Sequence, residues 1–264
     1  GYRVTVPAGT TIELHDGASI VSYSPLLCRG TDEEPIVIIS PDGTGGGLGI
    51  LRAFGQCEFR RVRFENLANP AEGGWQLLGA VTLYESRCAF TDCTFVGNRS
   101  EDSLNIVRSP FRIVRSTFEG TQSDALDLDF SDGAISDSHF ESCGNDGVDA
   151  SGSEIALERV TVRGTGDKGI SAGEESRLQL DDIRIADAGI GIASKDRSLI
   201  LGDRVEIQRS RIGMSAYQKK PEFGPARIEV TNLLLEESDL PFLIEAGSSI
   251  NVDSADVVGA GRKK

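Results

Sequence analysis

The sequence predicts an all-β protein, a single-stranded right-handed parallel β-helix of about 9–10 rungs with about 22 residues and three short strands in each rung. Three observations predict this fold class. A motif of alternating apolar residues recurs at nearly constant spacing, a second apolar pair recurs in the same frame, and turns rich in Gly, Asn and Asp separate them. We expect lead-in strands and a cap region at residues 1–35, the β-helix at 36–257 and a tail at 258–264.

The first recurring motif consists of two apolar-x-apolar segments separated by two residues. Its copies begin at Cys57, Cys88, Phe111, Gly133, Ile155, Leu178, Ile200, Ile228 and Ile250, with steps of 31, 23, 22, 22, 23, 22, 28 and 22 residues. One rung cannot bury its apolar face alone, so rungs stack at the ordinary strand spacing of about 4.8 Å. The resulting internal stack of aromatic rings is predicted to contain Phe64, Phe95, Phe118 and Phe140.

The second recurring feature is an apolar pair that follows the motif. Its copies begin at Leu104, Leu126, Val148, Ile170, Ile190 and Ile212, with steps of 22, 22, 22, 20 and 22 residues. Because side chains alternate across a strand, the residue between the two members faces outward. The predicted outward column is Asn105, Asp127, Asp149, Ser171, Gly191 and Gly213. A leucine-rich repeat has a similar period, but its L-x-x-L-x-L-x-x-N signature is missing.

The rung period and the composition of the columns resemble the pectate-lyase-like superfamily of right-handed β-helix proteins. The resemblance covers about residues 36–257 and implies the fold and a polysaccharide or oligosaccharide partner. No specific enzyme family within the superfamily is matched. The His-Gly and Arg-Ile-Lys partners of β-helix glycosidases, the Asp-Pro-His signature of alginate epimerases and the Arg-rich pattern of pectate lyases are all missing.

Composition restricts the possible partners. The chain has 41 acidic and 27 basic residues and a net charge of −14, which argues against a nucleic-acid partner. No run of about 18 apolar residues predicts a membrane span. The five cysteines are an odd number in a large chain, so we expect buried apolar residues rather than a disulfide framework. The chain opens at Gly1, and we expect additional domains in the full-length protein and a bacterial extracellular, periplasmic or cell-surface location.

Two insertions interrupt the regular repeat, at residues 68–76 and 217–224. Both flank the strand column that carries the second apolar pair. Insertions in a solenoid loop out on a face that is often the binding face, but surface insertions are also tolerated without a function. Under the first alternative, Trp75 and Tyr217 rim the binding groove and contact the substrate.

Acidic residues are predicted to share one face of three consecutive rungs: Asp102, Asp124, Asp127, Asp129, Asp146 and Asp149. Carboxylates repeated at about 5 Å repel one another by roughly a kcal/mol each even near water. Such a cluster is stable when a cation bridges it, when some pKa values rise, or when turn hydrogen bonds compensate. The first alternative predicts a Ca²⁺ site formed by Asp124, Asp127, Asp129, Asp146 and Asp149. The last alternative makes the acids a structural ladder of turn residues.

Basic residues are expected near the same face. Lys168 follows Asp146 in register, Lys195 lies one rung further on and Arg108 lies on an upper rung. Removal of a proton beside a sugar carboxylate requires a cation and a base, and these residue types could supply both. The alternative role of the lysines is to pair with the acids or to be solvated.

These features predict a polysaccharide-interacting β-helix. The candidate activity is that of a Ca²⁺-assisted lyase or epimerase on acidic glycans. The candidate catalytic residues are Asp127, Asp149, Lys168 and Lys195, and the candidate substrate-binding residues are Asn105, Arg108, Trp75 and Tyr217. The alternative is a non-catalytic binding or structural module of a larger exported surface protein.

Overall fold

Parallel strands coil through about 11 turns of about 23 residues in the computed structural model, which describes residues 2–259. The described residues contain no helix, so the predicted all-β parallel β-helix is confirmed. Accordingly, residues 2–259 include no helix with the length and apolar character needed to cross a membrane. Residues 260–264 of the predicted tail lie outside the described residues.

Short strands joined by tight turns build each rung, and from residue 154 onward several rungs continue without a break between strands. In chain order the strands are β1 Val4–Val6, β2 Thr11–Glu13, β3 Ile20–Ser22, β4 Leu26–Arg29, β5 Ile36–Ile39, β6 Leu48–Leu51, β7 Cys57–Arg60, β8 Val62–Glu65, β9 Ala71–Glu72, β10 Trp75–Gln76, β11 Gly79–Tyr84, β12 Cys88–Thr91, β13 Thr94–Val96, β14 Asp102–Val107, β15 Phe111–Val114, β16 Thr117–Glu119, β17 Asp124–Asp129, β18 Asp132–Ser136, β19 His139–Cys143, β20 Val148–Ser151, β21 Glu154–Gly173, β22 Arg177–Lys195, β23 Leu199–Gln208, β24 Ile212–Tyr217, β25 Arg227–Glu236, β26 Leu240–Ile244, β27 Ser249–Val252 and β28 Ala255–Asp256.

Three columns of parallel strands form the walls. The column that carries the acids, here called the site sheet, contains β3, β6, β11, β14, β17, β20, the last parts of β21 and β22, β24 and β26. The lead-in strands β1, β2 and β3 pair in parallel with β4, β5 and β6, so the stacking begins within the first 35 residues.

Aromatic stacking fills the interior of the early rungs, as predicted. The ring centroids of Phe64 and Phe95 are 4.8 Å apart, those of Phe95 and Phe118 are 4.4 Å apart, and those of Phe118 and Phe140 are 4.7 Å apart. All four side chains are almost fully buried. The five cysteines are free and buried, which confirms that they serve as apolar residues.

Serine hydroxyls satisfy the buried backbone at one corner of the coil. The backbone N–H of Ser86 donates to Ser109 Oγ at 2.8 Å, Ser109 N–H donates to Ser131 Oγ at 3.1 Å, and Ser131 N–H donates to Ser153 Oγ at 2.9 Å. A buried N–H without a partner is destabilising. The column of serines therefore allows the chain to turn inside the core and fixes the rungs in register.

One part of the predicted outward column is wrong. Ser171 pairs with Ala193, and Ala193 pairs with Ser215, so these residues replace the expected Gly191 and Gly213. The glycines face inward instead: a Cβ on Gly191 would lie 2.7 Å from Ile207 Cγ2 in the core. The irregular step of 20 residues disappears, because Ile170 pairs with Ile192, whereas Ile190 pairs with Lys168.

The phenylalanine stack provides a test of the fold. Phe118→Ala removes a ring that is fully buried between two stacked neighbours, so it should lower the free energy of unfolding by about 3–5 kcal/mol in urea titration. Phe54→Ala is the control, because Phe54 is 95% exposed and its loss should change stability by less than about 0.5 kcal/mol. Equal effects of the two substitutions would contradict the interior stack.

Candidate functional site

Six aspartates meet on the outer face of the site sheet, and we call them the acidic patch: Asp102, Asp124, Asp127, Asp129, Asp146 and Asp149. Strand pairing sets Asn105 opposite Asp127, and Asp127 opposite Asp149. Asp102 is likewise opposite Asp124. Neighbouring members are thus one strand spacing, about 4.8 Å, apart along the axis.

Hydrogen bonds divide the patch into two kinds of acid. Asp124 Oδ1 accepts from Asn145 Nδ2 at 2.6 Å and from the Asp146 backbone N–H at 2.8 Å. Asp146 Oδ1 in turn accepts from the Lys168 backbone N–H at 2.9 Å. These two acids therefore support turns. Asp127 instead accepts from the side chain of Asn105, with 2.9 Å between Nδ2 and Oδ2.

Two lysines close the patch on its C-terminal side. Lys195 Nζ lies 3.5 Å from Asp149 Oδ1, and the lysine side chain is only 7% exposed. Lys168 Nζ lies 3.3 Å from both carboxylate oxygens of Asp146 and also pairs with Asp167. Burial by itself lowers the pKa of Lys168, but the charges of Asp146 and Asp167 outweigh it and the pKa is raised. Lys168 therefore holds its proton firmly at neutral pH.

Burial and mutual repulsion raise the pKa of several of the aspartates. Asp102 is 2% exposed, and its Oδ2 atom has no hydrogen-bond partner within the described structure. Burial, followed by the charge of Asp124, raises the pKa of Asp102 to about 8. Burial and the charge of Asp102 raise the pKa of Asp127 well above its ordinary value. Burial also raises the pKa of Asp146 to about 7, despite the nearby ammonium of Lys168. The patch therefore holds protonated carboxyl groups near neutral pH.

The predicted aromatic rim is not arranged symmetrically around the patch. Trp75 lies on the small β9–β10 hairpin and lines a cleft of about 520 Å³ together with Ser19 and Val21. Val21 is three strands N-terminal to Asn105 in the site sheet, which places Trp75 at the far end of the face. Tyr217 pairs with Lys195 in the neighbouring strand, and it is buried.

Arg108 lies at the edge of the site sheet and not over its acids. Its guanidinium carbon is 5.5 Å from the centre of the Phe130 ring, and its Nη1 donates to the Tyr84 hydroxyl at 3.2 Å. Of the eight candidate catalytic and substrate-binding residues, the structure brings together five: Asn105, Asp127, Asp149, Lys168 and Lys195.

Two further residues of this face were not among the predicted site residues. Glu174, in the turn after β21, pairs with Lys220 from the second insertion, and its charge contributes to a raised pKa of Asp129, for which burial is the main cause. Ser171 follows Asp149 in the outward column, and its buried Oγ has no hydrogen-bond partner within residues 2–259. The column arithmetic already located Ser171, but only the surrounding packing shows that its hydroxyl is unsatisfied.

The donor set of the patch consists of carboxylate and amide oxygens, the ligands that Ca²⁺ takes. Residues 2–259 contain no group of three or more His, Cys, Asp or Glu side chains already spaced to hold a metal ion.

Comparison with known proteins shows which fold this chain shares. No protein-family model matches the chain, and a search of curated proteins finds no similar sequence. The catalytic domain of a GH87 α-1,3-glucanase in complex with tetrasaccharides superposes with a TM-score of 0.59 at 11% identity, covering 98% of this chain. The chain shares the parallel β-helix fold of this glucanase. It spans only 64% of the glucanase domain, and at this identity the likeness shows the fold alone.

Two further structures give similar coverage. The same glucanase domain in complex with nigerose superposes with a TM-score of 0.54 at 11% identity, over 98% of this chain and 64% of that domain. Pectate lyase Pel9A gives a TM-score of 0.44 at 12% identity, over 97% of this chain and 68% of the lyase.

The buried Asp102 predicts a pH-dependent stability. Its pKa is about 8 in the folded state and about 3.9 in an unfolded chain, so between these values the folded state binds the extra proton and stability falls as pH rises. Asp102→Asn removes this dependence. The variant should melt at a higher temperature than the wild type at about pH 8, and the gap should shrink toward about pH 5.

Asp137→Asn is the matched control, since the side-chain hydrogen bond from Arg159 lowers the pKa of Asp137. This substitution should leave the melting temperature unchanged or slightly lower at neutral pH. A gap for Asp102→Asn that is the same at both pH values would contradict the raised pKa.

Proposed function

We propose that the protein binds an extended polysaccharide along the outer face of the site sheet and cleaves it by acid–base chemistry at the acidic patch. Asp127 is the proton donor and Asp149 is the second carboxyl group of the pair. Asn105 orients Asp127, and Lys195 orients Asp149. The proposal includes an extracellular, periplasmic or cell-surface location, where the protein would encounter polysaccharides.

The observation that carries this proposal is the unequal environment of two carboxyl groups one strand apart. Burial and the charge of Asp102 raise the pKa of Asp127, which keeps a proton available for a leaving group. The Lys195 ammonium group lies 3.5 Å from Asp149 Oδ1, whereas Asp127 has the side-chain amide of Asn105 as its partner. Paired carboxyls in unequal environments divide into acid and base, and glycoside hydrolysis uses such a pair. The oligosaccharides bound to the glucanase of the same fold support a glycan as the ligand.

A lyase or epimerase on acidic glycans is the second candidate. It requires a lysine that gives up its proton, and the raised pKa of Lys168 makes this residue a poor base. Lys195, beside Asp149, is the remaining candidate for that role. The negative charge of the patch would also repel a uronate unless a cation were shared, and Ca²⁺ at Asp124, Asp127, Asp129, Asp146 and Asp149 remains a prediction of this candidate.

Product analysis separates the hydrolase from the other candidates. Purified protein should release reducing ends from at least one member of a panel of neutral and acidic polysaccharides that includes α-1,3-glucan. Asp127→Asn and Asp149→Asn should each lower the rate by about 10²-fold or more, because each removes a proton-transfer group. Asp181→Asn is the control, since this carboxylate pairs with Arg204 in another part of the coil.

Unsaturated products that absorb in the ultraviolet would instead identify a lyase. Glycan binding without any products, unaffected by either patch substitution, would favour a non-catalytic binding or structural module and contradict the proposed chemistry.

A calcium titration tests the metal prediction separately. If the patch binds Ca²⁺ in the folded state only, millimolar CaCl₂ should raise the melting temperature, and Asp127→Asn combined with Asp149→Asn should abolish the rise. A melting temperature that does not change with CaCl₂, or that rises equally in the double variant, would eliminate the predicted site.

A further inference from the structure

On the outer face of the site sheet, uncharged residues replace the aspartates in the strands that follow the acidic patch. Asp149 is followed in its column by Ser171, Ala193 and Ser215. In a second outward column of the same sheet, Lys168 is followed by Ile190 and Ile212. A cavity of about 420 Å³ opens here, which we call the basic pocket; it extends from Lys168, beside Asp146, to Ser215, three strands or about 14 Å beyond Asp149. Its lining residues are Asp167, Lys168, Ile190, Arg211, Ile212, Ser215, Tyr217, Lys219 and Leu243.

The floor of the basic pocket is apolar although it lies outside the core of the coil. Ile190, Ile212 and Tyr217 are at most 8% exposed and form a cluster separate from the main core, with Leu243 packed against it. Earlier rungs place aspartates at the corresponding outward positions. An apolar surface enclosed by polar groups on a carbohydrate-binding face suits the carbon-bound hydrogens of a sugar ring.

Two cations at the edge of the pocket lack a neutralising acid. Within residues 2–259, neither the Arg211 guanidinium nor the Lys219 ammonium makes an ion pair or a side-chain hydrogen bond. Lys168, by contrast, is paired with Asp146 and Asp167. In a chain with a net charge of −14, cations left unpaired beside a cavity provide a site for an anion.

A buried hydroxyl group points to the same conclusion. Ser215 is fully buried and lines the pocket, and its Oγ has no hydrogen-bond partner in the described structure. Leaving a buried polar group unsatisfied costs about 1–3 kcal/mol. A ligand oxygen that reaches the floor would satisfy it. Ser215 is therefore a second, independent indication that a polar ligand enters the pocket.

We propose that the basic pocket is a subsite for a sugar that carries a single oxyanion, such as a carboxylate or a sulfate ester. The inference rests on the proposed function, since it assigns the substrate class of the same face. Arg211 and Lys219 bind the oxyanion, Ser215 donates to a ring oxygen or hydroxyl, and the apolar floor contacts the ring.

The acidic patch gives the proposal its specificity. Sugars that cross Asp127 and Asp149 are neutral, because Lys195 and Lys168 are already paired with acids there and have no charge left to bind a second anion. The substrate class that fits both sites is a heteropolysaccharide in which acidic sugars are separated by neutral ones. A homopolymer of uronates is disfavoured.

Monosaccharide probes test the subsite without knowledge of the natural glycan. Methyl glucuronide, glucose 6-sulfate and methyl glucoside are titrated into the full chain, and binding is followed by NMR of the arginine Nε–H groups. The two anionic probes should bind saturably in the millimolar range and shift the Arg211 resonance, whereas the glucoside should not. The relative affinities of glucuronide and sulfate identify which oxyanion the pocket prefers.

Arg211→Gln combined with Lys219→Gln should weaken binding of the anionic probe by roughly tenfold or more, as expected for the loss of charge-assisted hydrogen bonds. Arg112→Gln is the control, since Arg112 is an exposed arginine on another sheet. Binding that persists in the double variant, equal binding of the glucoside, or no saturable binding of either anion would overturn the proposal.

Failure of this subsite and failure of the proposed function give different results. Asp127→Asn should lower the rate of cleavage by about 10²-fold or more while leaving methyl glucuronide binding unchanged. If neither anionic probe binds saturably but a polysaccharide is still cleaved, the subsite alone is refuted. If the anionic probes bind but no polysaccharide is cleaved, the proposed chemistry alone is refuted.

Discussion

Each rung of this protein repeats the previous one at a distance of about 4.8 Å, so a side chain meets its own equivalent in the neighbouring strands. In the interior this constraint is favourable. Stacked rings such as Phe95 and Phe118, with centroids 4.4 Å apart, exclude water from both faces. On the outside the same constraint brings like charges together. The acidic patch is therefore a direct product of the stacking, and its carboxyl groups respond by binding protons and by pairing with lysines.

The site sheet uses this constraint to place different chemistry along one face. Asp127 and Asp149 lie in the middle, and the rungs after them substitute Ser171, Ala193 and Ser215 at the same position. The column thus changes from acidic to uncharged along the axis, and an extended ligand would contact these positions in order. Where the backbone repeats from strand to strand, as from β14 to β17 and β20, the chemistry of each position depends on its side chain.

Much of this arrangement could be predicted from the sequence, because a solenoid converts spacing along the chain into proximity in space. The period of 22 residues was enough to locate the phenylalanine stack and to bring together Asp102, Asp127 and Asp149. The prediction failed in β22, where the residues that pair with Ile170 and Ala172 are Ile192 and Ser194 rather than Ile190 and Ile192. Because Ser194 is polar, the apolar pair Ile190 and Ile192 matched the repeat better in the sequence, and the predicted column was displaced by two residues.

Other features depend on contacts that cannot be inferred from the spacing of the repeats. The position of Trp75 follows from how a hairpin folds back over earlier rungs, and the burial of Tyr217 follows from packing against Ile190 and Ile212. The basic pocket was missed for the same reason. Its cations come from the edge of a rung and from an insertion, and its apolar floor resembles core residues in the sequence.

The central claim is that stacking forces carboxyl groups from successive rungs to share one desolvated face. A titration of aspartate side chains by NMR, with ¹³C label at the carboxyl carbons, measures this directly. The account predicts that resonances assigned to Asp102 and Asp127 titrate several pH units above the ordinary aspartate value of about 3.9, and that replacing Asp124 with Asn lowers the pKa of Asp102. If both resonances titrated near the ordinary value, independently of their neighbours, the shared face would be contradicted.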